Sequence, residues 1–230
     1  MAAASMTLND TTLVTSPAPG DMSPIEAAIM DGCNALHHAR GEDDLQEAAR
    51  IRRELFKLLD RYDQTDAEGH PNPAWARANQ RALVHSAAGE LEAAVKFEIA
   101  ALPYADTPRR KEISLGNLAD RCIRAGRFEE AVEWFMLAQE VAPDRVPILL
   151  TGIQALCLAG FSAEANDLCE SLLDMPGLMQ ENSELTAYLD YEARLHEMAR
   201  ELPALAELYK RWNKVKGGRF GTGGSAGSGN

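Results

Sequence analysis

The fold turns on one stretch, Glu112–Arg145, which reads EISLGNLADRCIRAGRFEEAVEWFMLAQEVAPDR. Its apolar residues recur at three- and four-residue spacing on both sides of Gly126, the pattern of two helices joined by a left-handed stop. Ala119 and Ala131 are small where the two helices must approach closely. Phe135 is a large knob for the space between hairpins, and Pro143 ends the second helix. The unit recurs along the chain. Leu149, Gly160, Ala165 and Cys169 lie 34 residues after Leu115, Gly126, Ala131 and Phe135. Upstream, Gly89 and Ala94 lie 37 residues before Gly126 and Ala131, the same unit with extra residues near Tyr104–Thr107.

Glu112–Arg145 resembles a tetratricopeptide repeat (TPR). Leu118, Ala131, Phe135, Ala138 and Pro143 match that family's signature outright, while Leu115, Ala119 and Cys122 stand where Trp, Gly and Tyr are usual. Segment 146–179 keeps Leu149, Gly160 and Ala165, but Gly152, Cys169 and Leu172 depart from the large–small pattern. Segment 75–108 keeps Gly89, Ala94 and Ala101, with His85 where an aromatic is usual. The resemblance covers 73–179 well, and 24–62 and 183–216 loosely. It implies an all-α solenoid of stacked antiparallel hairpins whose first helices line a concave groove. The groove positions it assigns are Asn79, Leu83, Ser86, Asn117, Asp120, Arg124, Leu150, Thr151, Gln154 and Leu158. Asn117 and Arg124 suit a carboxylate ligand and Asp120 opposes one. Leu83, Leu150 and Leu158 suit an apolar or amphipathic segment. The function implied is a non-catalytic protein–protein interaction module, an adaptor or chaperone-like protein holding a peptide or helix of another protein. The alternative is a structural or assembly subunit, associating through the solenoid edges or a basic C-terminal helix, with homo-oligomers among its forms.

The rest of the chain reads outward from this centre. Ser23-Pro24, Asn72-Pro73 and Thr107-Pro108 each set a capping side chain before a proline at the first helical position. Ser23 with Glu26 completes a capping-box pattern. Glycines 41, 89, 126 and 160 are the expected left-handed stops. About ten helices follow: 24–40, 43–62, 73–88, 90–102, 108–125, 127–142, 146–159, 161–174, 183–200 and 203–216. The last carries Leu202, Leu205, Leu208, Trp212 and Val215 on one face, as a capping helix should. The repeat domain thus spans 23–216. Residues 1–22 read as a flexible leader. Residues 217–230 hold seven of the 17 glycines and read as a disordered tail.

Composition limits the function classes. Of the 230 residues 46% are hydrophobic and only 6% aromatic, so Leu, Ala, Ile and Val must build the core. No stretch reaches the ~20 apolar residues of a membrane helix, and Met1–Gly20 lacks the basic and apolar regions of a signal peptide. Four cysteines without a close pair point to a reducing cytoplasm. Residues 1–207 carry a net charge of −17 and residues 208–230 of +5. A body so acidic repels phosphate backbones, which argues against nucleic acid as its partner.

Candidate chemistry is sparse. Cys33, His37 and His38 share a helix face, but metal ligation needs further ligands that the sequence does not offer. Cys157 and Cys169 fall on the two helices of one hairpin; with Cys122, Cys169 sits at a core position, so inert packing is expected over redox chemistry. Glu42, Asp43 and Asp44 open a helix, where carboxylates are stabilised by the helix dipole. The run Asp60, Asp63, Asp66, Glu68, Gly69 places its glycine and glutamate wrongly for a calcium loop. No phosphate loop, dinucleotide fingerprint, zinc-protease motif or nucleophile elbow is present. No catalytic site, cofactor or metal is expected.

Overall fold

Three helices begin at caps that the sequence supplies before a proline. In the computed structural model, which describes residues 23–64, 66–179 and 183–220, Ser23 Oγ accepts the Glu26 N–H and Glu26 returns the bond to the Ser23 N–H at 2.8 Å. Asn72 Oδ1 accepts from the Trp75 N–H, and Thr107 Oγ1 from the Arg110 N–H. Each satisfies an N–H that the helix itself leaves open. The expected leader, and residues 221–230 of the expected tail, lie outside the described residues.

Eleven α-helices follow among the described residues: α1 (Pro24–Gly41), α2 (Leu45–Gln64), α3 (Pro73–Ala87), α4 (Leu91–Ala101), α5 (Pro108–Arg124), α6 (Phe128–Val141), α7 (Val146–Leu158), α8 (Ser162–Leu173), α9 (Ser183–Tyr191), α10 (Ala193–Met198) and α11 (Pro203–Phe220). Short 3₁₀ turns occupy Asp66–Gly69 and Leu102–Tyr104. No strand occurs among the described residues. No helix there is long and apolar enough to cross a membrane.

The helices pair in chain order. Hairpins α1/α2, α3/α4, α5/α6 and α7/α8 each pack on the next, α1 against α3, α4 against α5, and both α5 and α6 against α7. Three hairpin turns are built alike. Gly89, Gly126 and Gly160 take φ of 78°, 73° and 88°. The following N–H reaches back five residues each time: Glu90 to His85 O, Arg127 to Cys122 O, and Phe161 to Leu156 O. This satisfies carbonyls that the helix end leaves open.

The first hairpin departs from the expectation. Gly41 lies inside the last turn of α1, and Asp43 takes the left-handed conformation instead, with φ 55°. Asp is among the few side chains that tolerate it. The Asp44 N–H then closes the same five-residue bond, to Ala39 O. The Asp44 carboxylate accepts the Glu47 N–H at 3.0 Å and so caps α2. The acids expected to open a helix thus form a turn and a cap.

Packing explains two residues that break the repeat pattern. His85 does stand in for an aromatic: its ring stacks on Phe97 with centroids 5.0 Å apart and meets Phe56 edge-on. Gly152 is the hole that receives Phe135. A Cβ built on Gly152 would overlap the Phe135 ring, so the bare backbone of α7 lets α6 close upon it. Gly116 likewise admits Ile148, whose Cδ1 would lie 2.7 Å from an added Cβ.

The C-terminal third differs from the expected pair of helices. The single helix expected over 183–200 breaks at Glu192, whose side chain accepts the Arg194 N–H at 3.1 Å and starts α10. α9 and α10 both lie on α7. α11 docks on α8 and runs to Phe220, past the expected end at 216. Its N-terminus is capped from outside: Asn166 Oδ1, on α8, accepts the Ala204 N–H at 2.9 Å. Leu202, Leu205, Leu208 and Trp212 are buried beneath it.

Candidate functional site

The ten positions that the repeat register assigns to a groove lie on α3, α5 and α7. Six of them are buried: Leu83, Ser86, Asn117, Leu150, Thr151 and Gln154. Asn79, Asp120, Arg124 and Leu158 are partly exposed.

Leu83 packs in the core shared with α1 and α2, and two further causes act on the other positions. The first is the chain's own α9–α10 segment. Tyr188 of α9 hydrogen-bonds Thr151 through the two hydroxyls, 3.3 Å apart. Leu185, Tyr188 and Leu195 share an apolar cluster with Leu150. The Arg194 guanidinium pairs with Glu192 at 2.9 Å and stands 3.9 Å from Asp120 on α5. Burial raises the Asp120 carboxyl above its ordinary range, with Arg124 and Arg194 pulling it back.

The second cause is lateral bonding between hairpins. Arg124 Nη1 donates to Ser86 Oγ at 3.1 Å, tying α5 to α3. Arg40 of α1 donates to Ala87 O at 2.9 Å. Deeper in, Glu98 of α4 is wholly buried and pairs with Arg121 of α5 at 2.7 Å, itself only 2% exposed. The Asn79 amide donates to the same carboxylate at 3.2 Å. Beside them Trp75 Nε1 donates to Ser114 Oγ at 3.0 Å. Burial pushes the Glu98 carboxyl upward and Arg121 opposes it. Asn79 is thereby part of a structural knot.

Among the described residues, two cavities flank the α9–α10 segment. The larger, about 790 Å³, opens between α1 and the α9–α11 region. Asn34, His37 and His38 of α1 face Tyr191, His196 and Tyr209 across it. His196 meets the Tyr209 ring edge-on at 5.3 Å. On its rim Asp190 is held by Trp212 Nε1 at 2.9 Å and by Lys216 Nζ at 2.8 Å. The smaller, about 530 Å³, lies where the C-terminal ends of α5 and α7 meet α10; Arg124 and Leu158 line it, opposite Arg194 and Met198. The register places Arg124 and Leu158 at an open site and the buried positions under cover. It missed Asn34, Tyr191 and His196, because 24–62 and 183–216 carry too little of the repeat signature to set a register.

The other sequence candidates resolve locally. His37 and His38 line the larger cavity while Cys33 is buried. No group of three or more His, Cys, Asp or Glu among the described residues is arranged to hold a metal. In the acidic run before α3, Asp63 pairs with Arg81 and Glu68 with Arg77.

All four thiols are free. Burial pushes Cys33 and Cys169 up to about 12 and Cys122 to about 11; burial and then Glu201 raise Cys157 as well. Thiolate, not thiol, is the reactive form. The folded protein treated with a thiol reagent near pH 8 should therefore label slowly, Cys157 first, and take up all four equivalents only in denaturant. Rapid labelling of Cys33, Cys122 or Cys169 in the native state, read by mass spectrometry, would contradict this burial.

Comparison with family models, with curated proteins and with solved structures finds no match for this chain.

Proposed function

We propose that the chain is a non-catalytic, TPR-like interaction module, an adaptor or chaperone-like protein that holds a peptide or helix of a partner. The 34-residue recurrence and the like-built hairpin turns support a repeat scaffold of this kind. The observation that carries the binding role is the larger cavity. Its size is that of a ligand site. Its lining of Asn, His and Tyr offers hydrogen bonds to a peptide backbone and flat rings to its side chains, and tyrosine is enriched at recognition surfaces.

Selection of peptides from a displayed random library on the full chain tests this. Selected peptides should lose at least about tenfold in affinity on Tyr191→Ala with Asn34→Ala, or on Arg124→Ala with Leu158→Ala if they enter by the smaller cavity. Peptides indifferent to both double variants, or no selected peptide at all, would refute the reading.

The alternative, an assembly subunit, is favoured by one feature. Met136 and Leu137 stand exposed on α6, away from both cavities. The basic end favours it less: Lys210 and Arg211 pair with Glu207, and Lys216 with Asp190, within the same chain.

A further inference from the structure

The carboxylates of this chain fall into two populations. Along α2 to α5 most are met by bases, among them Glu54 by Lys57, Glu90 by Arg52, Asp106 by Arg110 and Glu98 by Arg121. Along α6 and α8 they are not. Phe128–Asp144 carries five acids and no base, and Phe161–Asp174 four acids and no base. Among the described residues, only Glu130 of these nine has an ion-pair partner, Arg127.

The same two helices leave apolar groups uncovered. Met136 is 58% exposed, Leu137 43% and Phe161, at the head of α8, 45%. Between α6, α7 and α8 runs a cleft of about 330 Å³. Phe135, Leu156 and Leu168 form its apolar wall, and Gln139, Glu164 and Asp167 its polar one.

Unpaired like charges set side by side repel one another, and exposed apolar side chains stay hydrated at a cost; neither serves the isolated fold. One kind of partner relieves both. We propose that the outward side of α6 and α8 is a docking surface for a cationic amphipathic segment of another protein, with apolar side chains in the cleft and lysines or arginines on its rim carboxylates. Charge complementarity chooses this occupant: an acidic segment or a phosphate backbone would be repelled, and a neutral apolar one would leave the carboxylates without a counter-charge. The site is separate from the larger cavity, so it stands or falls independently of the role proposed for that cavity.

The test uses the full chain and a synthetic helical peptide of about 16 residues made only of leucine and lysine, with a leucine–glutamate peptide as counterpart. Binding is read by fluorescence anisotropy at about 0.15 M salt. The lysine peptide should bind and the glutamate peptide should not. Glu133→Gln with Glu164→Gln and Asp167→Asn should weaken binding at least about tenfold. Met136→Ser with Leu137→Ser should weaken it similarly, and circular dichroism should show both variants folded. Removing the same charge elsewhere, by Asp31→Asn, Asp60→Asn and Glu197→Gln, should change affinity less than about threefold. Equal losses from the two charge triples would reduce the effect to net charge and overturn the proposal. So would indifference to the Met136 and Leu137 changes, or a Kd weaker than about 1 mM. Sedimentation of the chain alone is the remaining arm. A salt-sensitive dimer abolished by the first triple would assign the surface to the basic end of a second copy and overturn the assignment to a different protein.

Discussion

Glu98→Leu alone should lower the free energy of unfolding by about 3–5 kcal/mol, and adding Arg121→Met to the same chain should restore most of it. The single variant strands a guanidinium that is 2% exposed without its counter-charge, and an uncompensated buried charge is costly. The double variant removes both desolvation penalties together. Restoration should be substantial because Arg121 is already poorly served. Its Nε and Nη2 are buried and find no hydrogen-bond partner among the described residues, so one nitrogen of three is used. Recovery should stop within about 1–3 kcal/mol of the parent, since the Asn79 amide loses its acceptor. Urea unfolding of parent, both singles and the double gives the coupling energy directly. A double variant as unstable as Glu98→Leu would mean that the pair contributes geometry that leucine and methionine cannot supply.

Gly152→Ala is the second large effect, and its sign is against helix propensity. Alanine is the better helix former by about 1 kcal/mol. Here its Cβ would overlap the Phe135 ring. That ring is 3% exposed and packed among Leu115, Ala119, Ala138 and Ile148, so making way for a Cβ means breaking this packing and turning toward the cleft beside α8. Overpacking of this kind costs about 1–3 kcal/mol or more, which outweighs the propensity gain. A net loss of about 2 kcal/mol of unfolding free energy is expected, read as a lower urea midpoint at unchanged slope. Phe135→Leu in the Gly152→Ala background should recover part of the loss, although the same substitution destabilises the parent. A Gly152→Ala protein as stable as the parent would show that α6 and α7 separate freely.

These two joints also mark where the sequence could be read and where it could not. Caps and turns are local: Ser23, Asn72 and Thr107 act within three residues, and Gly89, Gly126 and Gly160 within five, so their spacing suffices. Asp43 escaped because a glycine stood two residues earlier and offered the cheaper left-handed residue by type. Glu98 escaped because a charged residue reads as a wet one. The hint was present, since it lies four residues after Ala94 and three before Ala101, on a stripe of buried small residues. Gly152 reads as a defect in the repeat until its partner Phe135, on another helix, is seen. The candidate site was the least legible part. Its register came from 73–179, whereas Tyr191 and His196 come from the 183–216 region, and nothing local announces that α9 and α10 fold back over α7. The acids of α6 and α8 were countable in sequence, but which acids lack a base depends on three-dimensional neighbours.

Look-alike hairpins in one chain face a sorting problem: any could try to nest against any other, or against a copy's. Here each junction carries its own lock. Arg40 grips a carbonyl between the first and second hairpins, an ion pair joins the second and third, an aromatic ring enters a glycine notch between the third and fourth, and a borrowed asparagine seats the final helix. A mismatched neighbour would leave a charge bare, a ring without space or a helix end uncapped. The order of the units is thereby written into their seams, which disfavours both scrambled stacking and exchange of hairpins between molecules.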